Sequence, residues 1–559
     1  MNVDHDSGSE TEDNPADGTD DDECGTENDD DEHLDPGDNL SSFVAKSGMQ
    51  WSHVSPTSSR TKAVNIVTGK QGTTAAAYQI TCFTDALKLF ITDEMVDEIL
   101  KFSNAEGKRR VLEKGLTEEN WSSITREEID ALIGLLYLMG TMQLNTVSIR
   151  KIWSSSPIAQ PIFRAAMSRN RFSDILHVLR FDDKSTRMLR RQSDKFAPIR
   201  DIWQSFVSRC TEMYSPSEYV TIDEQLLGFR GRCPFRQYLP SKPDKYGVKL
   251  WICADANSFY VYNAAPYLGK QDATTKQSMT VGARVVCELL KPLEGTGRNV
   301  TCDNFFTNVM LADELLTKKL TLIGTMRKNL RDIPHEFLPS RCKPVGSSLF
   351  GFQTDKTLVS YVPAKNRAVV LLSSMHHDNK IDQATTKPEI IIDYNRTKGG
   401  VDTVDQLCHR YSVKRATRRW PLCIFFGILD LAAINAMIIY LSANTTYNSK
   451  KSYKRRIFLE DLSMQLMEGQ LKSRQNNPTG LNKRVTDAMA IVGYPCPTPT
   501  IPKEARTLAV TRAQEGKRKR CSFCPAKKDC KTSLRCSKCY RHMCAKHGHK
   551  LAVCNDCDK

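Results

Sequence analysis

Two aspartates three residues apart carry the clearest chemical signal in this 559-residue chain. Asp402 and Asp405 follow the pair Gly399-Gly400 and the apolar run 389–393, which we predict to be a strand. A glycine pair lets the chain turn sharply, and a spacing of three residues puts both carboxylates on one helix face. Such a pair suits a divalent metal ion, although acidic residues also stabilise the start of a helix by themselves.

Two further aspartates occur where predicted strands end. Asp255 closes the first strand of a hairpin predicted over 246–262, where a short polar turn separates two β-rich runs. Asp303 ends a short strand that opens a β-α-β unit predicted over 299–326. Open α/β sheets bind their ligands at the carboxyl ends of their strands. Both carboxylates are therefore candidates for a metal site.

The candidate acids are more informative together than singly, because they can form one metal site. We expect Asp255, Asp303 and Asp402 to converge from two strand ends and one helix, and to hold two Mg²⁺ or Mn²⁺ ions about 3.5–4 Å apart. Asp223 and Glu224 are rival acids in the same region. A strand that enters the core, followed by the basic loop 228–232, explains these two residues equally well.

The C-terminal region carries a second signal, made of seven cysteines and one histidine arranged in four pairs. Two residues separate the members of each pair, so that one turn can present two ligands to a tetrahedral Zn²⁺. Eight ligands suffice for two structural zinc sites with no open position. In the predicted cross-brace, one site consists of Cys521, Cys524, Cys544 and His547, and the other of Cys536, Cys539, Cys554 and Cys557.

The charge distribution predicts double-stranded DNA as a partner. Residues 1–40 hold 17 acidic and no basic residues, so the rest of the chain carries a formal charge of +31, against +14 for the whole. The basic residues cluster at 414–419, 450–456 and 517–520. A clustered positive excess of this size is typical of a surface that binds polyphosphate.

Three adjacent residues, Arg418, Arg419 and Trp420, are candidates for direct DNA contact. Neighbouring cations can pair with phosphates, and an indole can stack on an unpaired base with about 1–3 kcal/mol. A tryptophan of the protein core explains position 420 equally well.

The sequence predicts a nuclear protein that does not span a membrane. Its amino terminus is acidic and lacks the apolar stretch of a secretory signal. The most apolar run, 422–441, contains Asp430 and Asn435, and a central aspartate costs about 2.5–3.5 kcal/mol in a bilayer helix. We therefore predict a buried helix. The 19 cysteines then indicate a reducing compartment, where they serve as metal ligands or core residues.

The sequence resembles the piggyBac transposase family from about residue 83 to the C-terminus. The matching stretches are 221–236, 245–249, 266–269, 301–304, 394–406 and 418–421, together with the cysteine-rich tail. The resemblance implies an RNase H-like catalytic core with the acidic triad Asp255, Asp303 and Asp402, and with Asp405 as a further essential acid. It also implies that the tail recognises transposon-end DNA.

We therefore predict a multidomain α/β protein with an RNase H-like, mixed-sheet catalytic core that carries an insertion. Helical DNA-binding and dimerisation segments flank this core, and a cross-brace zinc module follows. The predicted boundaries are a disordered acidic region 1–78, a first helical part 79–216, a catalytic domain 217–410 with its insertion at about 328–388, a second helical part 411–493, a linker 494–516 and a zinc-binding domain 517–559.

The predicted function is cut-and-paste transposition by a homodimer that hydrolyses phosphodiester bonds with two metal ions. The resemblance further implies hairpin intermediates and integration at TTAA. One alternative is a host-recruited DNA-binding protein that has lost cleavage. Another is a RING-like or PHD-like ligase or chromatin reader, but residues 503–559 hold 16 basic and 5 acidic residues, a balance that favours DNA.

Overall fold

The computed structural model describes residues 42–56, 66–67, 69–77, 80–156, 159–269, 279–497, 519–525, 528, 530–536 and 541–547. The chain divides into two compact units, with the boundary between Pro495 and Cys496. The first unit contains a large sheet and a helical body, and the second contains the cysteine-rich tail.

The strands and helices occupy the following ranges. The strands are β1 Ser42–Val44, β2 Gln50–Ser52, β3 Gly72–Thr73, β4 Tyr214–Ser215, β5 Tyr219–Gly228, β6 Gln237–Tyr238, β7 Tyr246–Asp255, β8 Val261–Pro266, β9 Asn299–Cys302, β10 Thr321–Thr325, β11 Ser348–Phe352, β12 Thr357–Ala364, β13 Arg367–Ser373, β14 Lys519–Arg520 and β15 Lys531–Thr532. The α-helices are α1 Phe83–Lys88, α2 Asp93–Leu112, α3 Arg126–Thr141, α4 Ile149–Ile152, α5 Pro161–Ala166, α6 Arg169–Val178, α7 Arg187–Ser193, α8 Arg200–Met213, α9 Val281–Leu290, α10 Val309–Thr317, α11 Glu389–Thr397, α12 Gly400–Arg410, α13 Trp420–Ala443, α14 Lys454–Asn476 and α15 Lys483–Ile491.

The main sheet mixes parallel and antiparallel pairs, which confirms the predicted mixed-sheet, multidomain α/β fold. Its order is β1-β2-β11-β12-β13-β10-β9-β5-β7-β6, with β8 also paired to β7. The predicted hairpin is β7 and β8, and the predicted β-α-β unit is β9, α10 and β10. Strand β9 is parallel to both β10 and β5, so the carboxyl ends of β9 and β10 lie beside the middle of the longer strand β5.

Residues 389–393, predicted as a strand, instead form the start of α11. Ile390 and Ile391 are buried against Ile323 and Leu371 of the sheet. A short apolar run does not distinguish a strand from a buried helix by its periodicity. The helix is favoured because α11 packs its apolar face on β10 and β13.

The prediction of disorder over 1–78 is wrong for residues 42–56, and also for 72–77, where β3 pairs with β4 and a 3-10 turn follows. Strands β1 and β2 form a hairpin that extends the sheet through β11. Trp51 is fully buried and its indole nitrogen donates to the carbonyl oxygen of Asp332, 3.1 Å away. Phe43 packs edge to face on Phe337. Two large aromatic residues in a polar segment thus anchor it, while residues 1–41 lie outside the described part of the chain.

Helix α13 is the centre of the helical body. Helices α1, α8 and α14 pack against it, so residues from both predicted helical parts share one core. Among the described residues, α13 alone is long and apolar enough to cross a membrane, but 94% of its most apolar window is buried inside the protein. Asn435 holds α13 on β8, because its side chain accepts from the amide of Val261 at 2.8 Å and donates to its carbonyl at 2.9 Å.

Candidate active site and zinc centre

Strand register brings Asp223 and Asp303 together. Strands β5 and β9 run in parallel with Ile222 opposite Cys302. The next residue in each case is an aspartate, Asp223 within β5 and Asp303 directly after β9, so the two residues lie side by side at about the 4.8 Å spacing of neighbouring strands. Asp223 was only a rival candidate in the sequence, and this register makes it a member of the acidic cluster.

Helix α12 brings a third and a fourth carboxylate to β5. A Cβ at Gly400 would lie 2.6 Å from the hydroxyl oxygen of Thr221, so glycine is needed for this close approach. Further along, the side-chain amide of Gln225 donates to Asp405 Oδ1 at 3.0 Å. Asp405 is therefore anchored to the sheet. Asp402 lies one turn earlier, and its side chain is 68% exposed with Lys242 Nζ 3.8 Å away.

The negative charges of Asp303 and Asp402 act on Asp223. Burial, and then the negative charges of Asp303 and Asp402, raise the pKa of Asp223 from 3.8 to about 7. Burial and the nearby Glu224 also raise the pKa of Asp303. Carboxylates so close together repel, and a bound cation relieves that repulsion.

Asp405 differs from the other three acids because it has cationic and amide partners. Burial raises its pKa, but hydrogen bonds from His409 and Gln225 outweigh burial and leave the pKa below its ordinary value. The same contact raises the pKa of His409 to about 9. Asp405 is therefore ionised and fixed in place, as expected of a residue that orients α12.

The structure does not bring Asp255 to this cluster, so the predicted convergence of Asp255 with Asp303 and Asp402 is wrong. Asp255 pairs with Val220, three residues before Asp223 on β5. Asp255 therefore lies about 10 Å from Asp303 along the strand direction. Across the sheet, it lies two strand spacings from Asp303. Its buried carboxylate instead accepts hydrogen bonds from the backbone amides of three residues, and from one hydroxyl, in the surrounding turns. These residues are Ser217, which also supplies the hydroxyl, Asn257 and Ser258.

The donor set at the cluster fits a hard divalent cation. Asp223, Asp303 and Asp402 offer carboxylate oxygens, which are the ligands that Mg²⁺ and Mn²⁺ prefer. The signal that could have identified Asp223 is the acidic pair Asp223-Glu224 inside a strand that is flanked by the apolar residues Ile222 and Leu226, because such charges are rarely left unpartnered.

Two of the three predicted DNA contacts have structural roles instead. The guanidinium of Arg419 donates to backbone carbonyls of Leu176, His177 and Leu179 at the end of α6. Trp420 is 8% exposed and packs on Phe196 and Phe235, at ring distances of 5.8 and 5.0 Å. The core explanation of Trp420 is therefore correct.

Arg418 is the remaining residue of the three, and its side chain is exposed. Its backbone carbonyl lies beside Gly231, where an added Cβ would be only 2.9 Å from the oxygen. Arg418 thus stands next to the loop that follows β5. Its contact with DNA remains a prediction.

The cysteine-rich unit assembles the first predicted zinc site. The ligand atoms of Cys521, Cys524, Cys544 and His547 all lie within 4.8 Å of one another. The Cys524 and Cys544 sulfurs are 3.7 Å apart, and His547 Nδ1 lies 3.3 to 3.6 Å from three sulfurs. Zn–S bonds of about 2.3 Å and Zn–N bonds of about 2.0–2.1 Å give tetrahedral neighbours about 3.5–3.8 Å apart. The four residues therefore fit zinc.

The second predicted site is only partly visible. Cys536 is buried near the first site and packs in the same small core as Cys521 and Met543. Cys539, Cys554 and Cys557 lie outside the described residues. The strands β14 and β15 and the bridge between Arg535 and His542 frame the described part of this unit.

Comparisons with known proteins agree with this geometry. The family model described as Transposase IS4 matches residues 84–437, well over half of the chain. Human PiggyBac transposable element-derived protein 3 is 25% identical over 396 residues, which cover 67% of this chain and 64% of that protein. Human PiggyBac transposable element-derived protein 2 is 25% identical over 332 residues, which cover 56% of this chain and 55% of that protein. The chain therefore covers less than two thirds of either relative.

A solved structure gives wider coverage. The piggyBac transposase chain in a cryo-EM structure of a synaptic complex with hairpin DNA is 38% identical, with a TM-score of 0.71. The match covers 88% of this chain and 100% of that one. A likeness of this extent in both sequence and fold, together with the family model, shows that the chain belongs to the piggyBac family of transposases and transposase-derived proteins.

Proposed function

We propose that this protein is a cut-and-paste DNA transposase whose Asp223, Asp303 and Asp402 hold two divalent cations. The observation that carries the proposal is the convergence of these carboxylates at one sheet edge. The sheet order β8-β7-β5-β9-β10, with β9 and β10 parallel to β5, supports the RNase H-like core that the family resemblance implies.

We assign a separate role to each residue of the acidic cluster. Asp223 and Asp303 are fixed by neighbouring strands, and Asp402 approaches from α12 as the exposed third ligand. Asp405 positions α12 through Gln225. When bound, Mg²⁺ or Mn²⁺ ions lower the pKa of a water molecule, align it with a phosphodiester and stabilise the leaving 3′ oxygen. Lys242, next to Asp402, can neutralise charge on an incoming phosphate.

The wider reaction follows from the family. A 3′-OH released by the first cut serves as the next nucleophile, giving hairpin ends and then integration at TTAA. Two element ends must be cut together, which favours a homodimer, and a genomic DNA substrate places the protein in the nucleus. The tail, with its zinc ions, contributes recognition of transposon ends through its positive charge.

The second candidate is a host-recruited protein that binds DNA without cutting it. The observation that favours it is the presence of element-derived human proteins among the relatives. The cluster of carboxylates favours cleavage, because a protein that only binds DNA has no need of several mutually repelling acids at one site.

One assay separates these functions. The purified protein is incubated with Mg²⁺ and duplex DNA that carries the terminal repeats flanking its own coding sequence and a TTAA site. The transposase proposal requires nicks and hairpins in the parent, and their loss in Asp303→Asn and Asp402→Asn with end binding retained. Specific binding without nicks would establish the recruited DNA-binding protein, and absence of both would refute the two candidates.

A further inference from the structure

A cavity of about 560 Å³ lies between the second half of β5 and the first half of α13. Leu226, Cys423 and Phe426 form an apolar part of its lining, and Gln225 lines it together with the carboxylates Asp244, Asp405 and Asp430. Since Asp405 belongs to the same helix as Asp402, the cavity adjoins the acidic cluster. Cavities of about 300–1,000 Å³ with an apolar lining and few polar groups are typical ligand sites.

The strand pairing explains why the cavity exists. Strand β5 pairs with β9 only as far as Ile222, whereas it pairs with β7 along its whole length to Gly228. One edge of β5 is therefore free of a strand partner beyond Asp223. The walls are nevertheless tightly packed, because a Cβ at Gly228 would meet the carboxylate of Asp244, and one at Gly427 would lie 2.7 Å from a methyl of Leu227.

One polar side chain in the cavity lacks a partner atom. Gln225 is only 1% exposed, and its amide nitrogen is used by Asp405. Its side-chain oxygen has no hydrogen-bond partner within the described parts of the chain. A buried acceptor of this kind is costly unless a donor reaches it. The exocyclic amino groups of adenine, cytosine and guanine are such donors.

The cavity is also lined by two cationic residues, Lys414 and Arg415. The guanidinium of Arg415 is held by the backbone carbonyls of Leu144 and Val147, and Lys414 Nζ lies 3.3 Å from Asp244. Apolar side chains suit the faces of a base, the buried acceptor and the lining carboxylates suit its amino group, and the two cations suit its sugar phosphate.

The position of the cavity matches the path of a bound strand. Gln225 follows Asp223 by two residues, or about 7 Å along β5, which is about two base steps of duplex DNA. A DNA strand that ran along β5 from a phosphate at the acidic cluster would bring a nucleotide about two steps away to Gln225. Trp420, the residue that the sequence offered for base stacking, is buried elsewhere in the core.

We propose that this cavity receives an unpaired nucleobase of the DNA strand, next to the phosphate held at the acidic cluster. The proposal rests on the proposed function, because it requires DNA at Asp223, Asp303 and Asp402. Enzymes that act on one nucleotide of a duplex commonly extrude it into such a pocket. Here the extruded base keeps the neighbouring phosphate in a fixed register.

The test uses the full-length protein and the end duplex described above, with 2-aminopurine replacing one base at each position near the cut. Ca²⁺ replaces Mg²⁺ during binding, so that the strand stays intact. We expect 2-aminopurine fluorescence to rise about threefold at a single position, because a base that leaves the stack is no longer quenched. Ala416→Trp, which places a large side chain at the exposed rim, should abolish this rise and slow cleavage in Mg²⁺ about tenfold.

The controls separate the possible failures. Leu116→Trp adds the same side chain at an exposed position outside the cavity and should leave the fluorescence rise intact. If Ala416→Trp does not fold, Val147→Trp fills the cavity from the opposite loop. Binding and cleavage by the parent with unchanged fluorescence at every position would overturn the cavity proposal alone. Failure of the parent to bind or cut would overturn the proposed function, and this proposal with it.

Discussion

Replacement of Asp223 and of Asp255 by asparagine should have opposite effects, and this contrast tests the site most sharply. The pKa of Asp223 rises from 3.8 to about 7 in the folded protein, through burial and the charges of Asp303 and Asp402. A shift of about 3 pKa units corresponds to about 4 kcal/mol at 1.36 kcal/mol per unit. Without metal, the folded protein therefore bears a cost of up to about 4 kcal/mol above pH 7.

The sign of the pH dependence follows from this raised pKa. Because the folded state binds the proton more tightly, the cost is absent below about pH 4, grows between pH 4 and 7, and is complete above pH 7. Asp223→Asn removes the ionisable group. The metal-free variant should therefore unfold at a higher temperature than the parent at pH 8 and at nearly the same temperature at pH 4. Mg²⁺ at 100 times its Kd should stabilise the parent by about 2.7 kcal/mol and the variant by much less.

Asp255→Asn should lower stability instead. Its carboxylate accepts hydrogen bonds from backbone amides of Ser217, Asn257 and Ser258, and an amide group cannot accept all of them. The loss of one charge-assisted bond and the unpaired donor left behind cost about 1.5–3 kcal/mol. Cleavage by the folded variant should continue near the parent rate.

The assay combines thermal unfolding across pH, with and without Mg²⁺, and cleavage of the end duplex at a temperature where all proteins are folded. The expected result is that Asp223→Asn is stable and inactive, and Asp255→Asn is less stable and active. The reverse pattern, with near-parental cleavage in Asp223→Asn and none in folded Asp255→Asn, would refute the assignment made from strand register.

Three further predictions concern the tail and the two buried tryptophans, and a fourth the acidic N-terminus. Elemental analysis of the full chain should give two zinc ions, with unfolding of the tail on chelation; one ion per chain would contradict the cross-brace. Trp420→Ala should destabilise the helical body by about 3–5 kcal/mol while the affinity for end DNA at low temperature is unchanged. A loss of affinity without destabilisation would instead indicate that Trp420 stacks on a DNA base. Trp51→Ala should release the β1–β2 hairpin from β11 and make it sensitive to protease. Protease resistance equal to that of the parent would show that Trp51 does not anchor this hairpin. Deletion of residues 1–40 should tighten nonspecific DNA binding at low salt, because 17 acids compete with DNA for basic surfaces; equal affinity in a salt titration would exclude that competition.

The sequence by itself determined the parts of this protein whose signals are local. Asp402 and Asp405 lie on one helix because a three-residue spacing does so in any helix. The first zinc site follows from paired ligands two residues apart, each pair placed by a single turn. The hairpin of β7 and β8 and the unit of β9, α10 and β10 also follow from short-range alternation and turn residues.

The tertiary structure decided which of these local features meet. Asp223 and Asp255 both lie on strands, and only the pairing of β5 with β9 and β7 places the first beside Asp303 and the second far from it. The register between strands depends on contacts across the whole sheet, and local composition does not encode it. From the sequence, Trp420 was equally compatible with stacking on DNA and with burial, because an indole suits either environment. In the structure it is buried against Phe196 and Phe235. Local spacing thus fixes the groups that can act chemically, and long-range packing fixes which of them act together.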